Sequence, residues 1–152
     1  MTVPDFNQNA SAMFVGPYDG LALLTPRAVA AAPNGNRIIA DSGNQRIVIV
    51  DATGAERAVF GSRCDLAAGA DGGCVDPDGS GPLALGDGQF NEPWGIAVGP
   101  DGSVYVSDTW NHRVQKFTND GQFVNMWGAF GSTGGELGQE SIFYGPRSVT
   151  VG

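Results

Sequence analysis

Between Gln89 and Gly128 the chain alternates short apolar runs with clusters of Gly, Pro, Asn and Asp, as QFNEPWGIAVGPDGSVYVSDTWNHRVQKFTNDGQFVNMWG. The runs are Gly95–Val98, Val104–Ser107, Arg113–Phe117 and Phe123–Trp127. Between them stand Pro100-Asp101-Gly102, Asp108-Thr109-Trp110-Asn111 and Asn119-Asp120-Gly121. Short runs rich in Val, Ile, Tyr and Phe, bounded by residues that favour turns, are strands joined by tight connections. No helical period persists over ten residues. The stretch predicts one four-stranded antiparallel meander.

The same pattern occurs earlier. Shifted by 67 positions, Thr25–Gly61 falls on Glu92–Gly128 without a gap. Pro26, Ala30, Pro33, Gly35, Asp41, Asn44, Arg46, Gly54 and Gly61 match Pro93, Ala97, Pro100, Gly102, Asp108, Asn111, Arg113, Gly121 and Gly128. Agreement in turn residues, with strands that keep only their apolar character, marks a repeated backbone shape. It predicts strands at Arg27–Ala31, Arg37–Ala40, Arg46–Asp51 and Glu56–Phe60, the third apolar on both faces through Ile47, Val48, Ile49 and Val50. A third copy starts at Gly145-Pro146-Arg147-Ser148-Val149, and Ala12–Gly16 resembles the end of a preceding one.

The motifs Pro93-x-Gly95-Ile96-Ala97-Val98, Asp101-Gly102-x-Val104-Tyr105-Val106 and Asp108-x-x-Asn111-His112-Arg113-Val114-Gln115-x-Phe117 resemble the NHL repeat. The first copy has Asn44-Gln45-Arg46-Ile47 and departs at the His position. The resemblance covers about two thirds of the chain. It implies an all-β fold, a β-propeller segment of two four-stranded antiparallel blades with partial blades at both ends. It also implies binding as the general task, with peptide-amidating lyases as an enzymatic exception and RNA binding in some animal members.

The expected organisation is a partial preceding blade and linker over 1–24, a blade over 25–61, and a Cys-containing insertion over 62–91. A second blade follows over 92–128, then a linker and the inner strand of a truncated blade over 129–152. Blades of roughly forty residues put six at about 240. A blade buries both faces on neighbours. Two arrangements satisfy that: a piece of a longer propeller, which the scraps at both ends favour, or three chains closing a six-blade ring.

Topology divides the connections. The Gly turns Pro33-Asn34-Gly35-Asn36, Ala52-Thr53-Gly54, Pro100-Asp101-Gly102 and Asn119-Asp120-Gly121 share one face and read as turn chemistry. The other face carries Asp41-Ser42-Gly43-Asn44, Asp108-Thr109-Trp110-Asn111 and the insertion. Arg27, Trp94 and Arg147 each follow a Pro just before an inner strand, which in a propeller borders the channel mouth. With Trp110 they form a candidate ligand site, able to take an anionic or carbohydrate group by forked hydrogen bonds and stacking. The competing reading pairs Arg27 and Arg147 with acids such as Asp41 and Asp108. Asp41, Asn44 and Arg46, and again Asp108, Asn111 and Arg113, read as a structural clasp. His112 is the single histidine and reads as structural, so the ligand set of the amidating lyases is not carried over.

Charge narrows the function. Lys and Arg total 8 against 16 Asp and Glu, a net −8 that disfavours a nucleic-acid surface. No apolar run is long enough to span a bilayer, and no basic segment leads into an apolar one as in a secretion signal.

The insertion holds both cysteines, Cys64 and Cys74. Two Cys in one Gly-rich loop suit a local disulfide, with two free thiols as the alternative. A disulfide places the chain in an extracytoplasmic or extracellular compartment. Numbered from Asp76, oxygen-bearing side chains stand at places one, three, five and twelve: Asp76, Asp78, Ser80 and Asp87. Gly81 stands at place six, and Pro82 at place seven offers a carbonyl. The loop resembles an EF-hand-type calcium site, but lacks the bidentate Glu and the flanking helices. Calcium and an ion-free acidic loop both remain open as readings.

The sequence therefore points to a non-enzymatic binding or scaffold module that presents loops to a protein or glycan partner. The alternatives are part of a lyase- or hydrolase-like propeller enzyme, or a self-assembling ring of three chains.

Overall fold

The computed structural model describes residues 19–128 and 143–152. The architecture is all-β. Strands β1 (Ala28–Ala31), β2 (Arg37–Asp41), β3 (Arg46–Val50) and β4 (Glu56–Phe60) form one antiparallel sheet in sequence order. Strands β5 (Pro93–Val98), β6 (Val104–Asp108), β7 (Arg113–Phe117) and β8 (Phe123–Gly128) form the second. Single 3-10 turns occupy Asp19–Leu21, Ser42–Asn44, Gly69–Gly72 and Thr109–Asn111. The registers repeat with the sequence: Asp41 stands opposite Arg46, and Asp108 opposite Arg113. Each outer hairpin slips at its far end, between Ile49 and Val50 and between Lys116 and Phe117.

The two sheets stack face to face. Ile38, Ala40, Ile47 and Ile49 of the first share one core with Val104, Val106 and Phe117 of the second, and Phe90 from the insertion enters it. The inner strands β1 and β5 come together through small residues such as Ala28, whereas the outer parts of the sheets are separated by aromatic rings. Phe117 lies with its centroid 4.8 Å from Phe60, 5.7 Å from Phe90 and 6.0 Å from Phe123. Small side chains inside and rings outside make the wedge that radial stacking requires. Full burial of each large aliphatic side chain contributes about 1.5–3 kcal/mol. Ile39, Val48 and Val50, on the other face of the first sheet, pack with Leu21 and Leu23 of the incoming segment. The third strand is thus buried on both sides.

Three sequence expectations meet the structure differently. Ala12–Gly16, and with it the partial preceding blade, lies outside the described residues. So does most of the linker after the second blade. Arg147–Val149 forms no strand, because no second strand of its own blade pairs with it among the described residues. It nevertheless runs beside β5: a Cβ added to Gly95 would stand 2.9 Å from the Arg147 carbonyl oxygen.

The turns opposite the insertion are fixed by their own carboxylates. Asp51 accepts from the Thr53 hydroxyl and amide at 2.6 and 2.8 Å, from the Ala55 amide at 3.1 Å, and from Arg57. The Thr53 hydroxyl leads in holding this carboxyl well below the usual range. Ser103 does the same for Asp101. A folded-state pKa below the unfolded one gives stability that is present above the unfolded value and lost as pH falls. Stability should therefore decline below roughly pH 4. Asp51→Asn should flatten that decline in acid titrations followed by circular dichroism. Phe117→Ala should cost about 3–5 kcal/mol in urea unfolding, in one transition that removes both sheets together.

Candidate functional site

The Asp-x-x-Asn-x-Arg pattern ends a strand and begins the next, so its three side chains converge over the connection. In the first sheet Asp41 Oδ2 accepts from Asn44 Nδ2 at 2.8 Å and from Arg46 Nε at 2.6 Å. Asp41 Oδ1 accepts from the Leu24 amide at 2.7 Å, and Arg46 Nη2 donates to the Leu21 carbonyl at 2.6 Å. The second sheet repeats the geometry. Asp108 takes Asn111 at 2.9 Å, Arg113 Nε at 2.8 Å and the Asn91 amide at 2.7 Å. Arg113 Nη2 donates to Gly86 O at 2.6 Å and Gln89 O at 3.0 Å. Each cluster thus fastens the incoming connection to the turn between the second and third strands.

The second clasp is the deeper one. Arg113 and Asp108 are buried, while the Arg46 side chain is 27% exposed. Burial pushes the Asp108 carboxyl up from its ordinary range, and Arg113 pulls in the opposite direction. Gln115 adds bonds to Asp108 and to the Gln89 carbonyl, and Asp87 stands 3.5 Å from Arg113. This density of buried polar contacts belongs to the copy that carries the insertion.

The insertion is pinned at several points. Cys64 and Cys74 are joined by a disulfide. Asn111 accepts from the Leu66 amide at 2.9 Å and donates to Cys64 O at 2.8 Å. Gln89 donates to the Gly73 carbonyl at 3.0 Å and accepts from the Val75 amide at 2.7 Å. Gly86, at φ +82°, lies against the disulfide, and a Cβ there would meet Cys64 Sγ at 2.7 Å.

The structure does not gather the twelve-residue loop around one point. Asp76 accepts from the Gly79 amide, and Asp78 from the amides of Gly81 and Leu83. Asp87 turns inward to the Ala84 amide and Arg113. Among the described residues no three His, Cys, Asp or Glu side chains come together as a metal site. Ser80 and Pro82 are exposed in the same loop.

Arg27, Trp94 and Arg147 do converge. The Arg27 guanidinium carbon stands 4.0 Å from the Trp94 ring centroid, and that of Arg147 stands 4.6 Å from it. Glu92 reaches Arg27 at 3.6 Å and the Trp94 indole N–H at 3.3 Å. Pairing of Arg27 and Arg147 with Asp41 and Asp108 does not occur, because the clasps occupy both acids. Trp110 lies in the Thr109–Asn111 turn, with its amide donating to the Asn91 carbonyl at 3.2 Å and its side chain partly exposed.

A repeated joint between copies was not foreseen. Ser42 donates to the Pro93 carbonyl, and its equivalent Thr109 donates to Pro146 O at 2.8 Å. The Glu92 amide donates to Gln45 Oε1 at 2.6 Å, and the Gly145 amide donates to His112 Nδ1 at 2.9 Å. Thr25, Glu92 and Gly145 share a positive φ of 44°, 52° and 53°. The Gln-to-His change between copies therefore conserves an acceptor.

Removing Asp108 leaves a buried guanidinium short of its carboxylate, whereas Arg46 can rehydrate when Asp41 is lost. Asp108→Ala should therefore cost about 3–5 kcal/mol and Asp41→Ala about 1–2 kcal/mol in denaturant unfolding. Replacing both cysteines with Ala should cost about 2–3 kcal/mol through the loop the bond closes.

Comparison with known proteins completes the picture. The family model described as NHL repeat matches residues 90–117. The chain is 39% identical over 57 residues to "Protein brain tumor" of Drosophila melanogaster, covering 38% of this chain and 6% of that protein. It is 46% identical over 43 residues to "B-box type zinc finger protein ncl-1" of Caenorhabditis elegans, covering 28% and 5%. "Protein lin-41" of the same organism is 50% identical over 40 residues, covering 26% and 4%. The chain thus spans only a small part of the length of these relatives. Among solved structures, Kuenenia stuttgartiensis Hydrazine Synthase aligns with a TM-score of 0.54 at 15% identity, over 86% of this chain and 27% of that one. That likeness concerns the fold alone. Residues 90–117 match the NHL repeat, and they lie in the second of two stacked four-stranded blades of a β-propeller segment.

Proposed function

We propose that this chain is a non-enzymatic, protein-binding part of a β-propeller, and that it presents the face carrying the insertion and the Ser42–Asn44 and Thr109–Asn111 turns. One observation carries the reading. On that face Gln89 and Asn111 are taken up in fixing loop shape, while Val75 (61% exposed), Leu85 (40%) and Trp110 (39%) are left at the surface. A rigid loop with apolar tips binds without a large ordering cost. The partly aligned relatives carry the same repeat, which supports a scaffold role in this chain.

Four carboxylates in or beside the insertion have structural partners, which favours binding over catalysis. Asp108 and Asp87 face Arg113, and Asp76 and Asp78 cap backbone amides. The disulfide supports an oxidising, extracytoplasmic setting.

Selection of displayed random peptides on the immobilised chain tests the reading. Enriched peptides should bind Val75→Asp about ten-fold more weakly, yet bind Asn119→Asp, which adds the same charge on the opposite face, as well as the parent. Peptides insensitive to Val75→Asp and sensitive to Asn119→Asp would refute it.

A further inference from the structure

We propose that Arg27, Trp94 and Arg147 form a binding site for an acidic peptide segment, in which the two guanidiniums hold side-chain carboxylates and the indole keeps both forks in place. The inference rests on the protein-binding reading above and names the chemistry of one contact within it.

The placement is systematic. Arg27 and Trp94 are separated by the repeat offset, each directly after a Pro. Arg147 follows Pro146, whose carbonyl takes the same joint as that of Pro93. Three successive inner segments thus send one side chain each to a common place, and the same hydroxyl-to-carbonyl bond holds the second and third.

The arrangement is unusual in its charge. The chain carries net −8, with only 8 Lys and Arg. Arg46 and Arg113 are locked in clasps, and Arg57 is paired with Asp51. Arg27 and Arg147 nevertheless meet at one ring. Two like charges held close repel each other. The π face offsets part of this by attracting each cation.

A guanidinium stacked on a ring keeps its N–H groups in its own plane, directed past the ring edge. That leaves the fork free to take a carboxylate by two parallel bonds, which an ammonium cannot do. Glu92 already shows the chemistry in a loose form, at 3.6 Å from Arg27 and 3.3 Å from the indole nitrogen. Among the described residues it is the single carboxylate in ion-pair reach of this pair, and Arg147 has none. Among the described residues, one acid against two guanidiniums leaves a local positive excess. Non-specific attraction of a polyanion to the rest of the acidic surface is weak.

The test uses the 152-residue chain and two probes, acetylated tetraglutamate amide and its tetraglutamine counterpart. Indole N–H resonances are followed by NMR, with the Trp94 signal assigned from Trp94→Phe. Tetraglutamate should shift the Trp94 signal and leave those of Trp110 and Trp127 in place. Arg147→Gln should weaken binding about ten-fold without changing the melting temperature, and Arg147→Lys should recover only part of it. Rising salt should weaken binding, and tetraglutamine should not bind. No Trp94 shift at millimolar tetraglutamate would overturn the proposal, as would equal binding by tetraglutamine or by Arg147→Gln. Tighter binding of a trigalacturonate than of the peptide would also overturn it, in favour of an acidic glycan. Peptides that depend on Val75 while tetraglutamate fails would remove this site alone and leave the protein-binding reading intact.

Discussion

The shared apolar seam between the two sheets is the constraint on which the rest depends. A blade whose third strand reads Ile47-Val48-Ile49-Val50 has no solvent face. It must bury one side on Val104, Val106 and Phe117 and the other on the segment before it. Once the seam forms, the inner strands approach through small residues and the outer strands stand apart around Phe60, Phe90 and Phe117. The connections between blades are then gathered on one face, because the second and fourth strands of a meander end there.

Polar chemistry follows from that geometry. The incoming connection would expose or bury backbone amides without partners, and the clasps supply partners by repeating the same carboxylate contacts in both copies. In the second copy the clasp also anchors the insertion, so Arg113 and Asp108 lie almost fully buried and Gln115 joins them. Buried polar groups of this kind are costly unless all are satisfied, and among the described residues no buried side-chain nitrogen or oxygen lacks a partner. The result is a long Gly-rich excursion that behaves as part of the scaffold and leaves its apolar tips outside.

Much of this was legible in the residues. The strands could be placed to within two positions, because short apolar runs and Gly-Asp-Asn punctuation are local signals. The offset of 67 gave the equivalence of Arg27 and Trp94 directly, and a further Pro placed Arg147. Side-chain direction was less accessible. Glu92, next to Pro93, takes Arg27 because the positive φ at Glu92 turns the chain there, and no local pattern announces that. The acidic loop from Asp76 to Asp87 has oxygen spacing that suits either an ion or turn amides. Spacing does not say which way a carboxylate faces. The acceptor role common to Gln45 and His112 was hidden by their different chemistry, although the position was singled out by the repeat.

The central claim is that the two blades form one cooperative unit across the seam. Native-state hydrogen exchange measures it most directly, through the amides of Ile47 and Ile49 in β3 and of Gln115 and Phe117 in β7. The account predicts that all four exchange at the free energy of global unfolding and shift together with denaturant. Exchange of one blade at a lower free energy while the other stays protected would contradict it.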